Sequence, residues 1–347
     1  MSVAILLLAA ILAFALSRLG LHRIGEALTS AHPGWIVLAL ALMGLSLLLR
    51  AGSWHEVLRA ALPTTPIAWP PVIRATMIGV MGSAVFPGRI GEPAKMLVLT
   101  RRLPGSSRRQ LPVVAGTVFS QTIINLLALA ILATVTFTSL QILRQHVSGL
   151  ALALLLPLAI CLLVVFGPRL LALAQRSRSP RVALAAAALA RLLRLGRQGL
   201  AVFANPRHGP PAVLAQLLAW ALQWLACYAI MLALDLQSDG GLTAAAAVLL
   251  AVNVSAVLPA TPSNVGVFQA ACLVVLAAYG VGAGPALAYG IILQAVEVAT
   301  ALGLGLPALL GEGMTWRDIR GAATLDGQES AEPGPAVDEI EQQAEIN

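Results

Sequence analysis

Long apolar runs broken by short polar punctuation repeat along the chain as far as Leu310, and only the last stretch departs from that pattern. Six runs read as full membrane spans: Val3–Leu16, Trp35–Leu49, residues 111–139, Gly149–Phe166, Ala212–Leu234 and Pro285–Leu310. Several approach the ~20 residues that carry a helix across a bilayer. Val3–Leu16 lacks the positive n-region of a secretory signal peptide, so it reads as an uncleaved first span. Trp35–Leu49 starts on an interfacial tryptophan and ends at Arg50, and a connector with Trp54, Glu56 and Arg59 follows.

Two other apolar stretches are interrupted halfway. Pro63, Pro66, Pro70 and Pro71 delay a helix that then runs from about Val72 to Phe86, where Pro87-Gly88 stops it. Glu92-Pro93 suits the first turn of a new helix, since proline at N1 costs no hydrogen bond and a carboxylate favours the positive helix end. That half runs only to about Thr100 before Arg101, Arg102, Arg108 and Arg109, so residues 72–100 read as a re-entrant hairpin, A, opening to the cytoplasm. Leu242–Leu258, a break at Pro259–Gly266 and Val267–Tyr279 give hairpin B, residues 242–279, entering from outside. Both breaks follow Ser-Ala-Val, at 83–85 and 255–257, and both carry Pro-x-x-(Ile/Val)-Gly, at Pro87–Gly91 and Pro262–Gly266. Gln121 lies 34 residues after Pro87, and Gln294 lies 32 after Pro262. Hairpins that open to opposite faces and share a sequence pattern form an inverted repeat, with broken tips meeting near the midplane. The fold class expected is an all-α polytopic membrane protein with about six full transmembrane helices and two re-entrant hairpins.

Composition agrees with that class: 59% of residues are hydrophobic, 11% are charged, and mean hydropathy is +0.86. The net charge of +7 hides an asymmetry, since residues 1–310 hold 20 Arg/Lys and 6 Asp/Glu, leaving 2 and 9 for residues 311–347. The arginines sit in short loops beside apolar spans, where retention on the cytoplasmic side accounts for them, and nucleic-acid binding is set aside. The charge bias puts both termini in the cytoplasm of an inner or plasma membrane and the acidic loop Asp235–Gly241 outside. Arg191, Arg194 and Arg197 within 181–199 fit either a basic helix lying on anionic lipid or a solvated face retained by topology. Residues 311–347, rich in Gly, Pro, Gln and Glu, read as an acidic disordered cytoplasmic tail after a transmembrane domain of residues 1–310. Cys161, Cys227 and Cys272 lie singly in apolar runs, and the five histidines have no metal-ligand spacing, so no disulfide, metal or cofactor is expected.

The candidate chemistry lies at the breaks. A broken helix offers free N–H groups and the positive dipole end to an anion, and irregular backbone at membrane depth persists only within protein or against a water-filled cavity. Hairpin A contributes Arg89, Glu92 and Lys95, the chain's single lysine. Hairpin B contributes Thr261, Ser263, Asn264 and Gln269. Gln121 and Asn125, four apart, share one face of the following span, and Gln294 and Glu297 lie inside the last. In one reading Arg89, Lys95 and the helix N-termini hold a phosphate while Glu92 and Glu297 orient or release it. In the other, Glu92 caps its own helix and pairs with Arg89 or Lys95 to hold the break together. An ionisable group inside a membrane costs about 2.5–3.5 kcal/mol on insertion scales, which favours function as the reason for keeping it.

Pro87-Gly-Arg-Ile-Gly-Glu-Pro-Ala-Lys95 together with Pro259-Ala-Thr-Pro-Ser-Asn-Val-Gly266 resembles the lysylphosphatidylglycerol synthase transmembrane region, also called the flippase-like domain family, over about residues 1–310. The resemblance implies re-entrant helices around a cavity for an anionic or lipid-linked substrate moved between leaflets. It also implies a place in envelope-lipid metabolism and, as partners, membrane lipids with an anionic or phosphate-bearing headgroup. Three positions depart from the family pattern: Ser120-Gln121 stands where Glu-Arg is usual, Gln294 where arginine is usual, and Ser263-Asn264 where Gly-Gly is usual. Lysyl-transferring members carry a large soluble synthase domain, whereas 37 residues follow Leu310, so no aminoacyl transfer and no catalytic residue is expected of this chain alone. The expectation is a non-enzymatic flippase-like protein. Its alternatives are an integral-membrane transferase on a polyprenyl phosphate, with Glu92 and Glu297 as the available carboxylates, and a non-catalytic scaffold for an envelope-lipid biosynthetic enzyme.

Overall fold

The computed structural model describes residues 31–85, 91–104, 107–139, 200–255 and 266–312. These residues form eight α-helices and one 3-10 turn, Leu200–Ala204, and no strand occurs among them. The helices are α1 (Pro33–Ala61), α2 (Trp69–Val85), α3 (Gly91–Arg102), α4 (Ser107–Ser139), α5 (Gly209–Ala233), α6 (Gly241–Ser255), α7 (Val267–Ala278) and α8 (Ala283–Gly311). Among the described residues, four stretches are long and apolar enough to cross a membrane, one each within α1, α4, α5 and α8. The expected spans 3–16 and 149–166, the basic stretch 181–199, Cys161 and the tail beyond Glu312 lie outside the described residues.

Two expectations change. Trp35–Leu49 does not end at Arg50. The helix continues to Ala61, which sets Arg50, Trp54 and Glu56 inside α1 instead of in a connector. No proline interrupts the chain between Pro33 and Pro63, and a single arginine does not terminate a helix. At 1.5 Å per residue α1 is roughly 43 Å long, more than the ~30 Å hydrocarbon core, so it has length to spare at its ends. Nor does α2 wait for Val72: it begins at Trp69, with Pro70 and Pro71 in its first turn. The first four N–H groups of a helix have no intrahelical partner, so prolines there forfeit nothing. The same reasoning applies to Pro33 at the start of α1 and to Pro210-Pro211 at the start of α5.

The apolar interior is divided into two halves. One contains Ala39 and Met43 of α1, Ala128 and Leu132 of α4, the later part of α5, α6, α7 and the first half of α8. The other contains Leu47–Ala60 of α1, α2, α3, Val114 and Ile124 of α4, Ala212 of α5 and Ala308-Leu309 of α8. Each half therefore holds one pair of short helices, and the long helices α1, α4, α5 and α8 run through both. The short helices pack on each other within their pairs. In α2–α3, Gly82 lies against Gly91 and Gly79 against Lys95, the register of an antiparallel pair. In α6–α7, Gly240 lies against Tyr279, so this pair also starts and finishes at one end. The open end of α2–α3 is at the C-terminus of α8, where Glu312 meets Arg74 and Arg102, while that of α6–α7 is at the N-terminus of α8, beside Gly282. The last described residues of α2 and α6 and the first of α3 and α7, Val85, Ser255, Gly91 and Val267, are thus at the ends of the pairs opposite those open ends.

Gly91 and Gly266, matching positions of the sequence repeat, are needed for different reasons. A Cβ on Gly91 would overlap the Gly79 carbonyl oxygen and Ser83, so its absence lets α3 start in contact with α2. Gly266, the N-cap of α7, has φ 89°, in the left-handed region that other residues avoid.

Candidate polar site between the two helix pairs

At the junction of the two apolar halves the long helices present polar side chains instead of leucine and alanine. Arg50 comes from α1, Gln121 and Asn125 from α4, Gln216 and Gln223 from α5, and Gln294 and Glu297 from α8. The Arg50 guanidinium donates to Gln223 Oε1 at 2.5 Å and lies over the Trp220 ring, 5.7 Å from its centroid. Across the layer it attracts the carboxylate of Glu297, and Glu92 acts on it as well. Asn125 Oδ1 accepts from Trp220 Nε1 at 2.8 Å and from Gln216 Nε2 at 2.9 Å, which fixes the indole that Arg50 covers.

Lys95 enters this layer from α3. It stands one turn inside the helix N-terminus and its residue surface is only 6% exposed. Its ammonium donates to Gln121 Oε1 at 3.0 Å, pairs with Glu92 at 2.8 Å and sits 4.7 Å from the centroid of the Trp54 ring. Trp54 is itself fully buried and donates to Thr117 Oγ1 at 3.0 Å. Gln121 completes the link, because its amide donates to the Arg50 carbonyl at 3.1 Å and so joins α3, α4 and α1 in one chain of bonds. The Lys95–Glu92 pair is lopsided: the Lys95 side chain is 7% exposed and that of Glu92 50%. A buried ammonium needs a partner, whereas a half-exposed carboxylate also has water.

The second helix pair repeats the arrangement without charge. Gln269 in the first turn of α7 accepts from the Gly266 N–H at 2.7 Å and donates to Gln294 Oε1 in α8. Gly290, one turn before Gln294, packs against Gln269 and Cys272. In both halves, then, a residue early in the second short helix bonds to a glutamine of the long helix that follows: Lys95 to Gln121, and Gln269 to Gln294.

Of the residues singled out from sequence, Glu92, Lys95, Gln121, Asn125, Gln269, Gln294 and Glu297 all lie in or beside this layer. Arg89, Thr261, Ser263 and Asn264 lie outside the described residues. Glu92 pairs with Lys95, as in the pairing alternative, and its carboxylate is the exposed member of the pair. Sequence reading missed Arg50, Trp54, Trp220, Gln216 and Gln223. The signal for Arg50 was the unbroken helical pattern on both sides of it, with Trp54 one turn further on the same face. The open groove lined by His32, Trp35, Leu38, Leu232 and Asp235 lies at the far end of α1 and shares no residue with the polar layer.

The family model of the lysylphosphatidylglycerol synthase TM region matches residues 1–305. No curated protein and no solved structure matches the chain. With the match covering most of the chain and four long apolar helices in the structure, the protein is a multi-pass membrane protein that belongs to the lysylphosphatidylglycerol synthase TM-region family.

Proposed function

We propose that this protein binds the phosphate-bearing headgroup of an anionic lipid in the polar layer and passes it between the leaflets of a cell membrane. In this reading α2–α3 and α6–α7 are re-entrant hairpins related as an inverted repeat, six helices span fully, and both termini are cytoplasmic. The observation that carries it is the buried Lys95 ammonium paired with a half-exposed Glu92. A phosphate approaching from the exposed side takes the place of the Glu92 carboxylate, which returns to water. The ammonium then exchanges one anion for another and is never left bare in a low-dielectric site, where an unpaired charge is most costly. Arg50, held on Trp220 and by Gln223, is the second cation of the layer, and Glu297 is its counter-ion when no ligand is present. The amide pair Gln269–Gln294 supplies neutral hydrogen-bonding groups on the side of α6–α7.

The test is a sidedness assay in proteoliposomes with a reporter-labelled anionic phospholipid. Lys95→Met and Arg50→Gln, each confirmed at wild-type protein level, are expected to slow movement between leaflets. Unchanged movement in both variants would sink the reading. Metal-dependent turnover of a polyprenyl-phosphate donor that is lost in Glu92→Gln would replace it with a transferase.

A further inference from the structure

α1 and α5 pack against each other more extensively than any other two described helices, and they do so antiparallel. Two bonds fix their register: Ser46 Oγ donates to the Ala219 carbonyl at 2.9 Å, and the His208 ring donates to Glu56 at 2.7 Å. At about 100° per residue, Ser53 falls between Ser46 and Glu56 around α1, so it faces α5, and the register sets it opposite Ala212. Arg50, Ser53 and Glu56, three apart, therefore continue along this contact the polar line that Ser46 begins. His208, Gln216 and Gln223 run along the facing side of α5.

Three buried polar atoms on this seam have no hydrogen-bond partner among the described residues: Arg50 Nε, Ser53 Oγ and Gln216 Oε1. Ser53 is 0% exposed and Gln216 2%. Leaving a buried donor or acceptor unsatisfied costs about 1–3 kcal/mol, and proteins meet that cost with ordered water where space permits. Ser53 opposite Ala212 sets two small side chains face to face at the level of these unsatisfied atoms. At one end stands the His208–Glu56 pair, whose side chains are 12% and 17% exposed and so reach the protein surface. At the other end the Arg50 guanidinium attracts the Glu297 carboxylate.

We propose that the α1–α5 seam holds a file of ordered water between His208–Glu56 and the Arg50–Glu297 pair, and that this file carries protons to and from the Glu297 carboxylate. A proton taken from bulk water at His208 or Glu56 passes by exchange through water and the Ser53 hydroxyl, each of which gives up one proton as it accepts another. It ends on a Glu297 oxygen, and Arg50 keeps its own proton throughout. Gln216 Oε1 accepts a hydrogen bond and orients the file without being protonated. The other ionisable groups that interact electrostatically with Glu297 are Arg50 on α1, Cys227 on α5, Cys272 on α7 and Tyr289 on α8 itself. Those that face Glu56 are His208, His55 and Arg59. The route does not depend on which ligand the polar layer binds.

Infrared difference spectroscopy on the full-length protein in lipid nanodiscs tests it without a transport substrate. The carboxyl band of protonated Glu297 is assigned by its loss in Glu297→Gln, and its shift is timed after mixing into D2O. Wild type and Ser53→Thr are expected to exchange at the same rate. Ser53→Val, which has the shape of threonine but a methyl in place of the hydroxyl, is expected to exchange about tenfold more slowly. Gln216→Met is expected to slow exchange as well, and it decides the matter if Ser53→Val does not fold. Exchange in Ser53→Val as fast as in Ser53→Thr, exchange in Gln216→Met as fast as in wild type, or no Glu297-dependent band over the pH range where the protein is folded, would overturn the route.

Discussion

The lopsided exposure of the Lys95–Glu92 pair predicts opposite consequences for removing its two members. Glu92→Gln leaves a buried ammonium with the Gln121 carbonyl oxygen and the Trp54 ring as its partners. Removing one partner of a fully buried pair costs about 3–5 kcal/mol in general; because Glu92 is half exposed and the other two partners of Lys95 are kept, a smaller loss of about 2 kcal/mol is expected here. Lys95→Met removes the buried charge altogether. Glu92, half in water, loses little, and the methionine fills the space beside Trp54 with apolar surface. This change is expected to be neutral, or stabilising by about 1 kcal/mol. The double variant Glu92→Gln, Lys95→Met should recover most of what Glu92→Gln lost. Unfolding of purified protein by SDS in mixed micelles, run as a double-mutant cycle, measures all three. If Lys95→Met destabilises as much as Glu92→Gln, the ammonium is a structural tie, and its retention no longer argues for a ligand.

Other expectations follow from the packing. Gly91→Ala puts a methyl into the Gly79 carbonyl and Ser83, an overpacking that costs about 1–3 kcal/mol or more in SDS unfolding, and wild-type stability would show that α3 does not start against α2. Gly266→Ala should also destabilise, by about 1–2 kcal/mol, because of its φ of 89°. Glu312, 3% exposed, accepts from Arg102 Nε at 2.7 Å and from Arg74 Nη1 at 3.2 Å, so it ties the end of α8 to both limbs of α2–α3. Since both arginines are nearly half exposed and regain water, Glu312→Gln is expected to cost only about 1–2 kcal/mol while making the α2–α3 base more open to proteolysis. Single cysteines at Arg59, Arg102, Asp239 and Gly282, with Cys161, Cys227 and Cys272 replaced, report topology. With an impermeant thiol reagent the last two should label in intact cells and the first two only after permeabilisation, whereas outside labelling at Arg59 would mean that α2 crosses as an ordinary span.

Apolar length made the long helices legible in the sequence, because burial of a whole helix in lipid demands a continuous run. The interrupted helices were legible for a related reason: proline with glycine disfavours helix, and α2 and α6 end at Val85 and Ser255, just before Pro87-Gly88 and the Pro259–Gly266 stretch. What misled was charge and proline at helix ends. Arg50 looked like a terminus because arginine ends many spans, yet it has Trp220, Gln223 and Glu297 to meet it, and those partners are about 170 to 250 residues away in sequence. Pro70-Pro71 looked like delay because the sequence does not show which turn of the helix they occupy. The pairing of Gln121 with Lys95 and of Gln294 with Gln269 was half visible, as a spacing after each break. That the first pair is charged and the second neutral follows from the residues. That both glutamines reach back to the short helix before them required the fold.

Whether the polar layer holds a phosphate-bearing lipid headgroup is read most directly from the lipids that accompany the protein when it is extracted from native membrane into nanodiscs. Wild type is expected to carry a phosphate-bearing lipid at near-stoichiometric level, and Lys95→Met and Arg50→Gln are expected to lose it while remaining folded. The same lipids in the same amounts on wild type and both variants would contradict it.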